Sequence, residues 1–169
     1  TAAADTALTA TGNTARLVEG TAESMSGVNM TATNAFGGAT TYTATENAVT
    51  VAAAGVVTDS VAGAEIEQQT TSADGASFTA HIAKNTVTST DGTVKDAYGA
   101  LAALRVNNAG DAAATLTENA VTGTGGTFAG DVRGGVADLS AETGTATAAL
   151  AKNRVDLTNA ALDNASIRA

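Results

Sequence analysis

The residues able to do chemistry in this chain are few and stand apart. There is one imidazole, His81, and no cysteine. A catalytic or metal-binding histidine needs partners within bonding reach, and no second His or Cys exists to supply one. In the run Ala80-His81-Ile82 the two apolar neighbours share one face, so His81 is expected to face solvent. The carboxylates Asp91 in TDG, Asp96, Asp131 in GDVRGG and Asp138 invite comparison with calcium sites. A calcium-binding solenoid carries a strict Gly-Asp pattern every nine residues, which is missing, so these read as solvated acidic surface. Gly125-Gly126 and Gly134-Gly135 look superficially like phosphate loops, but no Lys follows them and no helix is predicted there. No catalytic residue, cofactor or metal ligand is therefore assigned, and the chain is read as non-enzymatic.

What the sequence does space regularly is asparagine. Asn13, Asn47, Asn85, Asn119 and Asn153 follow one another at intervals of 34, 38, 34 and 34 residues. Segments aligned on them share a frame: Asn, an apolar residue two on, Gly near seven on, a short apolar strand, then Gly again. The middle copies read NAVTVAAAGVVTDSVAGAEI, NTVTSTDGTVKDAYGALAAL and NAVTGTGGTFAGDVRGGVADL. The asparagines are expected to stack as a structural ladder at a bend, tolerating left-handed φ and hydrogen-bonding along the stack. The residues before them, Glu46, Lys84, Glu118 and Lys152, alternate in sign and would form a weak lateral ion-pair ladder.

Around each Asn the polarity alternates with period two, the signature of strands on both sides of a bend. Ala80/Ile82, Ala114/Leu116 and Ala148/Leu150 precede it on the inward face. Val49/Val51, Val121 and Val155/Leu157 follow. The interleaved Thr9, Thr11, Thr43, Thr45, Thr115 and Thr117 point outward as a candidate contact face. This array is similar to the flat threonine lattices of ice-binding solenoids, although His81-Ile82-Ala83 and Ala149-Leu150-Ala151 interrupt it; ice binding stands as a minor alternative.

The elements that must carry these positions follow from composition. With 41 Ala, 30 Thr and 18 Gly, and no Pro or Trp, the chain offers few bulky core fillers. The aromatics Phe36, Tyr42, Phe78, Tyr98 and Phe128 fall mostly one to a repeat, several at inward positions, which leaves no sugar-stacking platform. Helical arrays of similar period need bulky aromatic and Leu positions, whereas Thr and Val favour pleated surfaces. The expected fold is all-β: one parallel β-helix, or β-solenoid, spanning residues 1–169. It should have about five turns of ~34 residues stacked ~4.8 Å apart. Partial turns stand at both ends. The four extra residues between Asn47 and Asn85 are expected in the polar loop Gln68–Gly75, the counterpart of Val106–Asp111 and Ser140–Gly144.

A net charge of −9 argues against nucleic acid and anionic membranes as partners, and no run of 18 apolar residues suggests a membrane span. The chain opens on Thr1 without a visible signal peptide and reads as a processed piece of something longer. Thr1–Gly12 resembles the close of a turn and Asn153–Ala169 the opening of another, so copies joined head to tail could complete each other.

The phrasing NAVTGTGGTFAGDVRGGVADL…ATAALAKN resembles the passenger repeats of large bacterial autotransporter adhesins, and the likeness covers essentially the whole chain. The resemblance implies a right-handed parallel β-helix exported to the bacterial cell surface or beyond, working in adhesion, self-association or biofilm formation. It carries over no catalytic motif. The partners it implies are other copies of the chain or a host or cell surface. The alternative is a structural filament subunit.

Overall fold

Thr, Val and Ala at alternating positions give the backbone one apolar and one polar face, and the chain resolves that pattern as strands throughout. The computed structural model describes residues 5–32, 38–69, 75–106 and 110–169, and among these no helix forms. The strand before each asparagine (Thr6–Thr11, Gly38–Thr45, Ala76–Ala83, Ala112–Thr117, Ala146–Ala151) pairs in parallel with its counterpart one repeat away, making a five-stranded sheet in chain order. The segments after each asparagine (Thr14–Ser26, Ala48–Gln69, Thr86–Thr90, Ala120–Thr124, Arg154–Thr158) head a second, larger parallel sheet. The fold is the expected β-solenoid: five passes of the first strand close four turns of about 35 residues.

The register locates the extra residues of the long turn, and it moves them. Thr14 pairs Ala48, 34 residues on; Glu19 pairs Ala54, 35 on; Ser24 pairs Ser60, 36 on; Gly38 pairs Ala76, 38 on. One extra residue therefore lies between Val51 and Ala54, one between Val57 and Ser60, and two between Gln68 and Ala76. Only half of the insertion falls in the expected loop; the other half forms bulges in the strand Ala48–Gln69. A single-residue bulge is the least disruptive way to absorb length, because pairing resumes in register beyond it. Gln68, assigned to that loop by sequence, is instead a strand residue and fully buried. Residues 70–74, and Phe36, lie outside the described residues.

Alternation fixes the interior. Tyr42, Ala44, Val49 and Val51 are buried while Thr41, Thr43, Thr45 and Thr50 alternate with them outside, and the same holds at Val87/Thr88 and Val121/Thr122. Each fully buried Val contributes about 1.5–3 kcal/mol of burial. The interior is not one lumen but two. One apolar column, containing Tyr42, Ile66, Phe78, Ile82, Leu104 and Leu116, lies behind the five-stranded sheet. The other, built on Val49, Val57, Val61, Val94, Val121 and Phe128, lies behind the strands that follow the asparagines.

Glycine makes the partition. A Cβ on Gly63 would stand 2.6 Å from the Gly99 carbonyl oxygen and 2.8 Å from the Thr86 nitrogen; on Gly99 it would meet Gly134 O at 2.4 Å and Ala120 N at 2.8 Å. Gly27 and Gly134 are equally tight, against Gly63 O and Arg154 N, both at 2.5 Å. The column Gly27–Gly63–Gly99–Gly134 thus lies flush against the backbone at the asparagine corner, closer than any side chain allows. The later Gly of the repeat frame is a contact residue between two walls of the rod.

Candidate functional site

The asparagine corner is the most ordered polar feature of the molecule. Asn47, Asn85 and Asn119 are fully buried between the two apolar columns. The backbone N–H and Nδ2 of each donate to the Oδ1 of the next: Asn13 to Asn47 at 3.0 and 2.9 Å, Asn47 to Asn85 both at 2.9 Å, Asn85 to Asn119 both at 3.0 Å, Asn119 to Asn153 at 3.0 and 2.9 Å. The other Nδ2 hydrogen reaches back to a main-chain carbonyl of the previous turn, Ala44 O from Asn85 at 3.0 Å, Ile82 O from Asn119 at 3.1 Å and Leu116 O from Asn153 at 2.9 Å. A buried amide is costly unless its donors and acceptor are used, and here all are.

The left-handed backbone is not on the asparagines. It falls on the residue before each: Gly12 (φ 70°), Glu46 (59°), Lys84 (57°), Glu118 (58°) and Lys152 (56°). This corrects the expectation of an αL asparagine. The asparagine must keep its side chain pointed inward along the ladder, so the reversal is taken by its neighbour, whose side chain swings out to solvent. Those side chains pair in two steps, Lys84–Glu46 at 3.8 Å and Lys152–Glu118 at 3.2 Å. All four are well exposed, so each pair is worth about 0–1 kcal/mol.

Of the acidic residues singled out by sequence, the fold sets Asp96 beside Asp131 and engages Asp91 and Asp138 elsewhere. Asp91 sits in αL conformation (φ 54°) at a second bend, in register with Gly125. Asp96 Oδ1 accepts from the Asp131 N–H at 2.6 Å, Asp131 pairs with Arg133 at 2.6 Å, and Asp138 pairs with Arg105 at 3.3 Å. Among the described residues no three His, Asp or Glu side chains gather as a metal site. Nor does any helix there have the length and apolarity to cross a membrane. Burial, then the carboxylates of Asp96, Asp131 and Asp59, push the Tyr98 phenol up, and Arg133 partly offsets them. Tyr98 is only half-buried, on the outer side.

Two interior polar features escape sequence reading. Tyr42 Oη donates to Gln68 Oε1, with both residues fully buried, and burial pushes the Tyr42 phenol up to about 12. The hint lay in a Gln at an inward position opposite a tyrosine, visible only once the two walls are brought together. Ser89 Oγ is buried without a hydrogen-bond partner, in the column that holds Val51 on one side and Gly123 on the other.

The threonines singled out by sequence all lie on the outer side of the five-stranded sheet. Thr9 and Thr11 register with Thr43 and Thr45, and Thr11 Oγ1 lies 3.0 Å from Thr45 Oγ1. Thr115 and Thr117 register with His81 and Ala83. His81 is exposed, in the middle of the central strand. At the far end, Ala148 and Leu150 were expected inside. They are exposed, Leu150 by 47%, although Leu116 in the same column is fully buried.

By fold and by ladder this chain is a parallel β-solenoid, its polar interior organised on asparagine. It matches no protein-family model, no curated protein and no solved structure.

Proposed function

We propose that this chain is a non-enzymatic segment of an extracellular adhesin of the autotransporter passenger type, acting at the bacterial surface through adhesion or self-association. The observation that supports this reading best is how the fold uses its polar groups. The ladder asparagines, and carboxylate–cation pairs such as Asp138–Arg105, Asp131–Arg133 and Glu118–Lys152, are tied to neighbours a turn away or nearby in the chain. What is presented outward on the five-stranded sheet is a periodic wall of threonine and alanine. A wall of repeated weak contacts suits avidity rather than capture of a small molecule. Beads coated with the chain are expected to clump with one another or to be held on a cell monolayer well above albumin-coated beads. If they do neither, the reading fails.

A second reading is a filament subunit. Leu150, Leu162 and Ile167 are 47%, 52% and 44% exposed, and each registers with a fully buried residue one turn earlier, Leu116, Phe128 and Val132. A further turn of the same period, whether from continuing sequence or from another copy, would bury them. Long uniform filaments in negative-stain micrographs would favour this reading over lateral contact; short separate rods would count against it.

A further inference from the structure

We infer that the outward face of the five-stranded sheet is a self-complementary contact surface whose partner is the same face of a second copy; this rests on the self-association arm of the proposed function. Five parallel rows of three outward positions compose it. They run from Ala7-Thr9-Thr11 through Thr41-Thr43-Thr45, Thr79-His81-Ala83 and Ala113-Thr115-Thr117 to Thr147-Ala149-Ala151, each directly above the next. Nine of these fifteen positions are Thr, five are Ala and the central one is His81. None carries Asp, Glu, Lys or Arg, although the chain has 25 such residues (8 basic and 17 acidic).

Three arguments select a second copy as the occupant. The first is charge. Each copy carries −9, so two copies repel wherever their acidic faces meet, and this sheet lets them approach without opposing carboxylates. Charges mark only its borders: Asp5 and Asp111 at one end of the strands, Glu46, Lys84, Glu118 and Lys152 at the other. The second is chemistry. A symmetric contact requires the same patch to complement itself, and a threonine hydroxyl both donates and accepts, whereas a row of one charge cannot pair with its own image. The third is period. Rows ~4.8 Å apart on one copy meet rows of identical spacing on the other, so every contact made once recurs along the rod. An unrelated globular protein has no reason to share that spacing.

The area sets the strength. Five rows of ~4.8 Å by five residues of ~3.3 Å give roughly 400 Å² per copy. The roughly 800 Å² in total is below the ~1,200 Å² of standard stable complexes. The contact is thus a weak, closed dimer for this length of rod, strengthened in proportion as rows are added.

Sedimentation equilibrium of the chain from about 10 μM to about 1 mM tests this. The weight-average mass is expected to rise from 16.3 kDa toward twice that and to level off there. Thr43→Asp/Thr115→Asp should stay at the monomer mass throughout. Thr50→Asp/Thr122→Asp, the same two charges two turns apart on the neighbouring sheet, should still associate. Circular dichroism shows whether both variants keep the β-fold. If Thr43→Asp/Thr115→Asp associates like the parent, the face is wrong while self-association through another surface stands. A mass that climbs past twice the monomer without levelling also overturns the closed dimer and favours end-to-end growth. A parent that remains at 16.3 kDa at the highest concentration overturns the inference and the self-association reading together, leaving adhesion to other surfaces to the bead assay.

Discussion

The side-chain oxygen of Asn85 accepts twice from Asn47, from the backbone N–H and from Nδ2, each at 2.9 Å. Asn85 in turn donates to Asn119 and to the Ala44 carbonyl. One amide therefore joins three turns, and in a buried place where water cannot substitute for it.

Replacing Asn85 with Ala strands two donors of Asn47 and takes the Nδ2 donor from Asn119 Oδ1 and from the Ala44 carbonyl, while the backbone N–H of residue 85 still donates to Asn119. Each buried unsatisfied group costs about 1–3 kcal/mol, so Asn85→Ala should destabilise by about 3 kcal/mol or more. Asn13→Ala, at an exposed position with one such neighbour, should cost about 1 kcal/mol. Urea unfolding of the two variants checks the contrast, and equal effects would mean the ladder does not carry the corner.

Gly63→Ala tests the partition between the two apolar columns. Its Cβ would press on main-chain atoms of Gly99 and Thr86 at 2.6 and 2.8 Å, and backbone cannot rotate away as a side chain can. A loss above about 2 kcal/mol is expected, despite a change of a single methyl group. Gly63→Ala melting within a degree or two of the parent would show that the walls can separate cheaply.

Burial raises the Tyr42 phenol from 10.0 to about 12. The native state therefore holds the neutral phenol longer than the unfolded chain does. Its contribution to stability is complete below pH 10 and is lost as pH rises from 10 toward 12. Tyr42→Phe should lower stability at pH 8 by about 1 kcal/mol through loss of the bond to Gln68, and it should flatten the alkaline decline. Denaturation midpoints at pH 8, 10 and 11 measure both effects.

Ser89→Ala should hold stability level or raise it by up to about 1 kcal/mol, because the Ser89 hydroxyl is buried with nothing to bond. A substantial fall in melting temperature would reveal a partner for that oxygen.

Much of the fold is legible along the chain because a solenoid makes contacts at one fixed sequence separation. The asparagine spacing already states which residues stack, and the Thr/Val alternation states which face is inside, since a side-chain period of two admits no other facing once one residue is placed. The insertion shows where that legibility stops. A count of 38 between Asn47 and Asn85 fixes how many residues are extra, but the pairing of Glu19 with Ala54 and Ser24 with Ser60 alone shows that two of them bulge from a strand.

The sequence by itself determined the period, the strand character and the absence of Asp, Glu, Lys and Arg from the row Thr9, Thr43, His81 and Thr115, because these depend on residue type and spacing alone. The tertiary structure decided what those properties meet. Gly63 and Asn85 are 22 positions apart, and only the closed turn brings the bare Cα of one against the main chain of the other. The left-handed turn likewise falls on Lys84 and not on Asn85, because the amide is committed to the ladder and only its neighbour is free to reverse the chain. Contacts between walls are set by how the backbone closes, and no local pattern of residues encodes that closure.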